Sequence, residues 1–407
     1  MSGEINLALH GFQFTASSRS RPGQLERILA NLFFLFFCAQ ILSPQISGTT
    51  IYLELPISLV NVYYLKWLSR IKISTRAVAF AILFLGLTFA ISPEALIRCL
   101  SIANSAAFLA YAYERRIFYL FRFMSLAILI GIAQFVLAQI DPHLARLIGP
   151  TSISNFFWGE NSIGGRTNFY TIFWFDRVSG LSRESGFFAA LLSAVTLFAI
   201  VDKKILTKKW ASLLLSGNFI SLSKISLSIL PNFLLYKYRH SLNRIPPEIS
   251  FPISVAFLSL VVTYLIASGI GLGGETFVHR FSGYYRFVQI SLPELLFGAG
   301  DIRSQSWVEL DELNGKFAQL AGFGGFILNY GLVLVIAWYA LLRSLGAGTV
   351  AFLIILVGTA NVNPLTNQNF VVLYYFLTIY LIPQADTSKH LSTWTPENKF
   401  ASVSKSG

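Results

Sequence analysis

Between residues 28 and 383 the chain is an almost unbroken series of apolar runs, and no other feature limits its fold so strongly. Crossing a hydrocarbon core takes about 20 apolar residues as a helix. The runs lie at 28–47, 50–67, 77–92, 95–113, 117–140, 183–201, 210–222, 225–236, 251–270, 319–342, 347–361 and 368–383. Charged residues make up 12% of the chain and hydrophobic residues 54%, where a soluble domain is roughly a quarter charged. Too few charges remain to solvate a globular surface. The reading is an all-α polytopic membrane protein with about 11–12 transmembrane helices. Residues 28–383 form one integral domain, flanked by polar tails at 1–27 and 384–407. The apolar run from Ile28 is too long for the core of a signal peptide and reads as a retained anchor.

Charge distribution orients these runs, because cytoplasmic loops hold the Lys/Arg excess. With twelve segments and both termini inside, 21 of the 31 basic residues fall on the cytoplasmic side with 7 of the 19 acids, and 9 basic residues face 11 acids outside. Glu54 and Lys224 are left in the membrane by this count. Reading 210–236 as one crossing would send Lys237, Arg239 and Arg244 outside, so two half-length helices broken near Ser221–Lys224 fit better. The net charge of +12 is thereby mostly a topology signal, and nucleic acid is not implied as a partner. Cys38 and Cys99 lie inside runs and read as buried thiols, and the five histidines have no metal-ligand spacing. No cofactor or metal is expected.

Two polar stretches interrupt the pattern, at 141–182 and 271–318, and the charge rule puts both outside. Connections that long are usually functional or disordered. In the first, residues 156–175 hold eight aromatics where the chain average of 15% predicts three. They read either as an interfacial belt or as a platform for sugar rings and lipid chains. That loop also carries Arg166, and it ends in Arg177-Val-Ser-Gly180-Leu-Ser-Arg183-Glu184-Ser-Gly186. Arginines at a membrane boundary need partners. Arg183 either pairs with Glu184 or joins an anion site with an acid/base group beside it. The second loop supplies Arg280-Phe-Ser-Gly-Tyr-Tyr-Arg286, where a turn at Gly283 would converge the two arginines, followed by Leu296-Phe-Gly298-Ala-Gly300. The guanidinium fork matches phosphate oxygens, so arginines from two outer loops suit a diphosphate at headgroup level; contact with anionic lipid headgroups is the plainer alternative. Lys224 either bonds carbonyls freed at the helix break or helps to bind an anion. Glu54 is either hydrogen-bonded in the bundle or part of a proton path.

The arrangement resembles a known family. Arg-x-x-Gly-x-x-x-Glu-x-Gly at 177–186 resembles the Arg…Glu-Pro-Gly element of Wzy-type polysaccharide polymerases, with Ser185 where proline is common. Ser-x-Ser-Lys at 221–224 is similar to the Ser-Arg break of the wider O-antigen polymerase and ligase superfamily. Leu-Phe-Gly-Ala-Gly at 296–300 and Asn314 followed by Gly322-Phe-Gly-Gly325 resemble its later elements. The resemblance extends over roughly residues 130–345. It implies a GT-C-like, inverting, metal-independent glycosyltransferase that acts on undecaprenyl-diphosphate-linked oligosaccharides at the periplasmic face of the bacterial inner membrane. Its partners would be the lipid-linked donor and acceptor, the membrane, a chain-length regulator and a flippase. Arg280, Arg286 and Glu184 would be catalytic, and Arg177, Arg183, Arg166, Lys224 and Asn314 would bind substrate. Ligases of the superfamily carry a histidine where Leu313 stands here, which favours polymerase over ligase. A flippase of lipid-linked sugars is a further alternative.

Overall fold

The structure, a computed structural model, describes residues 7–9, 12–14, 21–46, 49–162, 171–172, 175–202, 207–270, 275–287, 290–298, 308–310, 316–318 and 321–384. The described residues are mainly helical. The helices are α1 Gln24–Cys38, α2 Glu54–Leu59, α3 Val62–Leu68, α4 Thr75–Ile91, α5 Pro93–Glu114, α6 Leu120–Ile140, α7 Pro142–Leu147, α8 Pro150–Trp158 and α9 Ser185–Val201. There follow α10 Lys208–Ile220, α11 Ile229–Lys237, α12 Arg239–Leu242, α13 Pro247–Ala267, α14 Glu275–Arg286, α15 Leu292–Phe297, α16 Gly322–Ser344, α17 Thr349–Gly358 and α18 Asn369–Tyr375, which continues as a π-helical turn, Phe376–Leu381. Among the described residues, strands occur only as short antiparallel pairings. One of them brings the amino-terminal tail into the fold, with Phe12 opposite Ile73.

Among the described residues, four helices are long and apolar enough to cross a membrane by length and composition: α5, α6, α13 and α16. Shorter apolar helices span Thr75–Ile91, Ser185–Val201, Thr349–Gly358 and Asn369–Gln384. The surface of α13 is the plainest sign of a lipid environment. Of its 21 residues only Pro247, Phe251 and Val262 are buried, while Phe257, Leu260 and Tyr264 are 64%, 70% and 68% exposed. A helix that is apolar all round and covered by so little protein is consistent with contact to hydrocarbon.

Proline placement follows the same economy. The apolar runs contain Pro56 and Pro231, which the sequence alone allows as kinks. Both instead sit in the first turn of a short helix, α2 and α11, where no intrahelical N–H bond is lost.

The chain departs from simple crossings in two places. In α16 the backbone at Gly331 has φ 78° and ψ 161°. The rings of Phe323 and Trp338 then lie 5.8 Å apart, where a straight helix would separate these residues by roughly 22 Å. The helix therefore folds back on itself, and Phe251 packs against both halves. The second departure is the pair α10 and α11. Trp210 meets Phe121, Gly217 lies against Ile128, and Gly131 lies against Ile220, so α10 climbs beside α6 in the same direction. Leu222 then takes a left-handed φ of 45°. After a short 3-10 turn, α11 runs back: Asn232 donates to the Tyr374 hydroxyl at 3.2 Å, and Asn243 accepts from the Val350 amide at 3.0 Å. The half-length pair expected from charge counting is present, and it returns to the end at which it started.

At that end, Glu26 is fully buried and accepts from Tyr111 at 2.5 Å and from Arg115 at 2.8 Å and 3.0 Å. Glu114 accepts from Trp67 and Tyr380, Tyr113 donates to Asp202, and Arg343 pairs with Glu248. At the opposite end, Gln40 donates to Asn369 at 2.9 Å and Trp158 donates to the Leu42 carbonyl. In between lies an aromatic core in which Phe33, Phe108, Phe118, Phe198 and Phe376 interlock. Both cysteines are buried and free.

Candidate functional site

The segment leading into α9 is shaped by one glutamine. Gln134, 1% exposed on α6, donates to the carbonyls of Ile148 and Gly180 at 2.8 Å and 3.0 Å and accepts from the Gly180 amide at 2.9 Å. Gly180 has φ +55°, and a Cβ there would stand 2.8 Å from both the Ala127 carbonyl oxygen and the Phe188 ring. Only glycine fits this close approach. The 177–182 segment is thus pressed onto α6, with Ser182 donating its amide to the Ser179 carbonyl, and it delivers Arg183 and Glu184 to the start of α9.

Two glycine seats carry the second arginine-bearing element. A Cβ on Gly283 would lie 2.7 Å from the Gly324 carbonyl carbon, so α14 and the first half of α16 cross backbone to backbone. A Cβ on Gly298 would lie 2.5 Å from the Asn329 carbonyl oxygen, and one on Gly331 would lie 2.3 Å from the Leu296 carbonyl oxygen. Glycines that read from sequence as a family signature are here the contact points of α14, α15 and α16.

These supports bring Arg280 against the loop between α17 and α18. Its Nη2 and Nε donate to Asn361 Oδ1 at 2.8 Å and 3.3 Å. Burial, and then the positive charge of Arg177, pull the Arg280 pKa down to about 10. Gly186, two residues beyond Glu184, would place a Cβ 3.8 Å from Asn361 Nδ2. The end of the first loop, the start of α9, the second loop and the α17–α18 turn thus meet at one place. Arg280 forms no salt bridge among the described residues. A largely buried cation beside another cation, bonded only to a neutral amide, is costly unless an anion joins it.

Other candidates fall elsewhere. Arg280 and Arg286 do not converge through a turn at Gly283, because α14 is continuous from Glu275 to Arg286. Six helical residues set them about 9 Å apart along the axis and about 120° apart around it. Arg183 and Glu184 form no ion pair with each other, and Arg183 Nε is buried without a hydrogen-bond partner. Lys224 is exposed at the tip of the α10–α11 return, where Ser223 Oγ accepts from the Ile225 amide. Glu54 is 2% exposed at the start of α2, and its Oε2 has no hydrogen-bond partner. Of the aromatic cluster, Phe156 and Phe157 are exposed on α8, while Trp158 is held by Leu42. Arg166 and Asn314 lie outside the described residues.

Two residues of the site escape a sequence reading. Gln134 shares the run 117–140 with Arg122, Ser125 and Gln139, and nothing in the sequence singles it out among them. Asn361 ends the run 347–361, and nothing in its neighbourhood marks it as a partner of an arginine eighty-one positions away. No family model, curated protein or solved structure matches this chain.

Proposed function

We propose that this chain is a polysaccharide polymerase of the bacterial inner membrane, joining undecaprenyl-diphosphate-linked oligosaccharide repeats at the periplasmic face. The observation that carries the reading is a largely buried Arg280, bonded to the neutral Asn361 and to no described carboxylate, within reach of the positive charge of Arg177 from a separate loop. Such a site suits a dianionic group. In this reading the end holding Glu26, Glu114 and Arg343 is cytoplasmic, both termini share that side, and the site lies at the opposite end.

The acceptor hydroxyl attacks the anomeric carbon of the donor sugar with inversion. The carbon–oxygen bond to the diphosphate breaks, and the diphosphate leaves with the bonding electrons. Arg177 and Arg280 stabilise the charge that builds on the leaving oxygen, an interaction stronger in the transition state than in the ground state. Glu184, just before α9 and two residues from Gly186, receives the proton of the acceptor hydroxyl. Arg286, on another face of α14, lies outside this pair and binds more distant parts of the substrate.

The test is the lipid-linked glycan profile of a strain that lacks the protein. Single repeats accumulating on the outer face, with polymer lost, support the reading. Long lipid-linked chains stranded before their acceptor point to a ligase, and repeats trapped on the inner face point to a flippase. Restoring the strain with Arg280→Ala should leave polymer absent, while Arg286→Ala should restore part of it; full polymer with Arg280→Ala refutes the assignment.

A further inference from the structure

We infer that Asn361 is a positioning residue whose neutrality is its function: it fixes the Arg280 guanidinium without cancelling its charge. The inference rests on the reading of the site as an anion site. Both Arg280 contacts end on the single oxygen Oδ1, at 2.8 Å and 3.3 Å. A guanidinium has five N–H donors and no acceptor, so the other N–H groups of Arg280 remain for a ligand. The same requirement fixes the amide. Oδ1 must face the arginine, which turns Nδ2 toward the start of α9, where Gly186 leaves room beside it.

The loop that carries Asn361 is itself well held. Thr359 caps the end of α17 through the Ile355 carbonyl at 2.7 Å, and Asn363 Oδ1 accepts from the Leu365 amide at 2.8 Å. Tyr375 donates to the Pro364 carbonyl at 3.1 Å while accepting from Trp338 at 2.9 Å. A residue so supported can define a partner's position. A carboxylate here would make the stronger bond to Arg280 and would add an acid to a place where two arginines meet. The fold uses the weaker acceptor, which keeps the local charge positive.

The test compares Asn361→Asp, Asn361→Ala and the wild type as full chains in lipid nanodiscs, with a polyprenyl diphosphate as the probe and tryptophan fluorescence as the readout. Asn361→Asp should raise the melting temperature yet weaken probe binding by roughly tenfold or more, as expected when a charge complementary to the ligand is cancelled. In an Arg280→Ala background the same substitution should no longer raise the melting temperature. Asn361→Ala should weaken binding less than Asn361→Asp does. Wild-type binding by Asn361→Asp, or parallel losses of stability and binding in both variants, overturns the inference and leaves the anion site standing. No probe binding by the wild type removes both.

Discussion

Replacing Gly283 by alanine tests the close crossing that seats α14. The new Cβ would stand 2.7 Å from the Gly324 carbonyl carbon and 2.8 Å from the Gly325 nitrogen, both backbone atoms. Carbon atoms in good contact sit about 3.5–4.0 Å apart, so the two helices must separate by about 1 Å. Arg280 lies one turn earlier on the same helix, and its 2.8 Å bond to Asn361 would stretch past the hydrogen-bond limit. Overpacking costs about 1–3 kcal/mol, and losing a charge-assisted bond costs about 1.5–3 kcal/mol. Alanine in a helix returns about 1 kcal/mol, which leaves a net loss of about 1.5–5 kcal/mol. Product formation should fall near 10²-fold, as for other misplacements of about 1 Å. Gly86→Ala in α4 is the control, since nothing lies within 4 Å of its Cβ, and it should gain about 0.5–1 kcal/mol. The assay is thermal unfolding in nanodiscs together with polymer recovery in cells. If Gly283→Ala keeps wild-type melting and wild-type polymer, the reasoning fails.

Two further outcomes follow from the geometry. Gly180→Ala should be the more damaging of a matched pair with Gly159→Ala: both have positive φ, but a Cβ at Gly180 meets Ala127 and Phe188 while one at Gly159 meets nothing within 4 Å; the excess loss of stability, about 1–3 kcal/mol, is read by thermal unfolding, and equal losses would contradict the packing account. At the other end, burial alone would raise the Glu26 pKa, but hydrogen bonds from Arg115 and Tyr111 more than reverse this and hold it below the ordinary 4.5. A depressed carboxylate stabilises the fold above its unfolded pKa and loses that contribution as pH falls through the folded value, so melting temperature should drop on acidification below about pH 5, and Glu26→Gln, measured across the same pH series, should flatten that drop.

Much of the architecture was legible because lipid imposes a simple code. The runs at 77–92, 95–113, 117–140 and 183–201 correspond to α4, α5, α6 and α9 within a few residues, since an apolar run of that length can only be satisfied as a helix. The broken pair at 210–236 was legible from charge rather than hydropathy. Hydropathy missed the fold-back of α16, because residues 319–342 are predominantly apolar and only the φ of Gly331 reveals the reversal. At the site, arginines announce themselves by their cost in an apolar chain, so Arg177 and Arg280 stood out. Asn361 did not, because a neutral amide in a short turn has no such cost. Whether two arginines meet is a tertiary fact: Arg280 finds Arg177, whereas Arg286, six positions away, is carried to another face by the helix itself.

Leu222 sets the parity of the chain. A straight run from α10 into α11 would carry every later connection to the opposite end of the bundle, and α14 would present Arg280 far from Arg177. The left-handed turn at this one residue lets Arg177 and Arg280, separated by the five helices α9 to α13, come to the same end of the bundle. Insertion of this protein is thus a problem of handedness at a single joint as well as of hydrophobicity. A sequence change that straightened that joint would leave each helix intact and still divide the two arginines between opposite ends of the bundle.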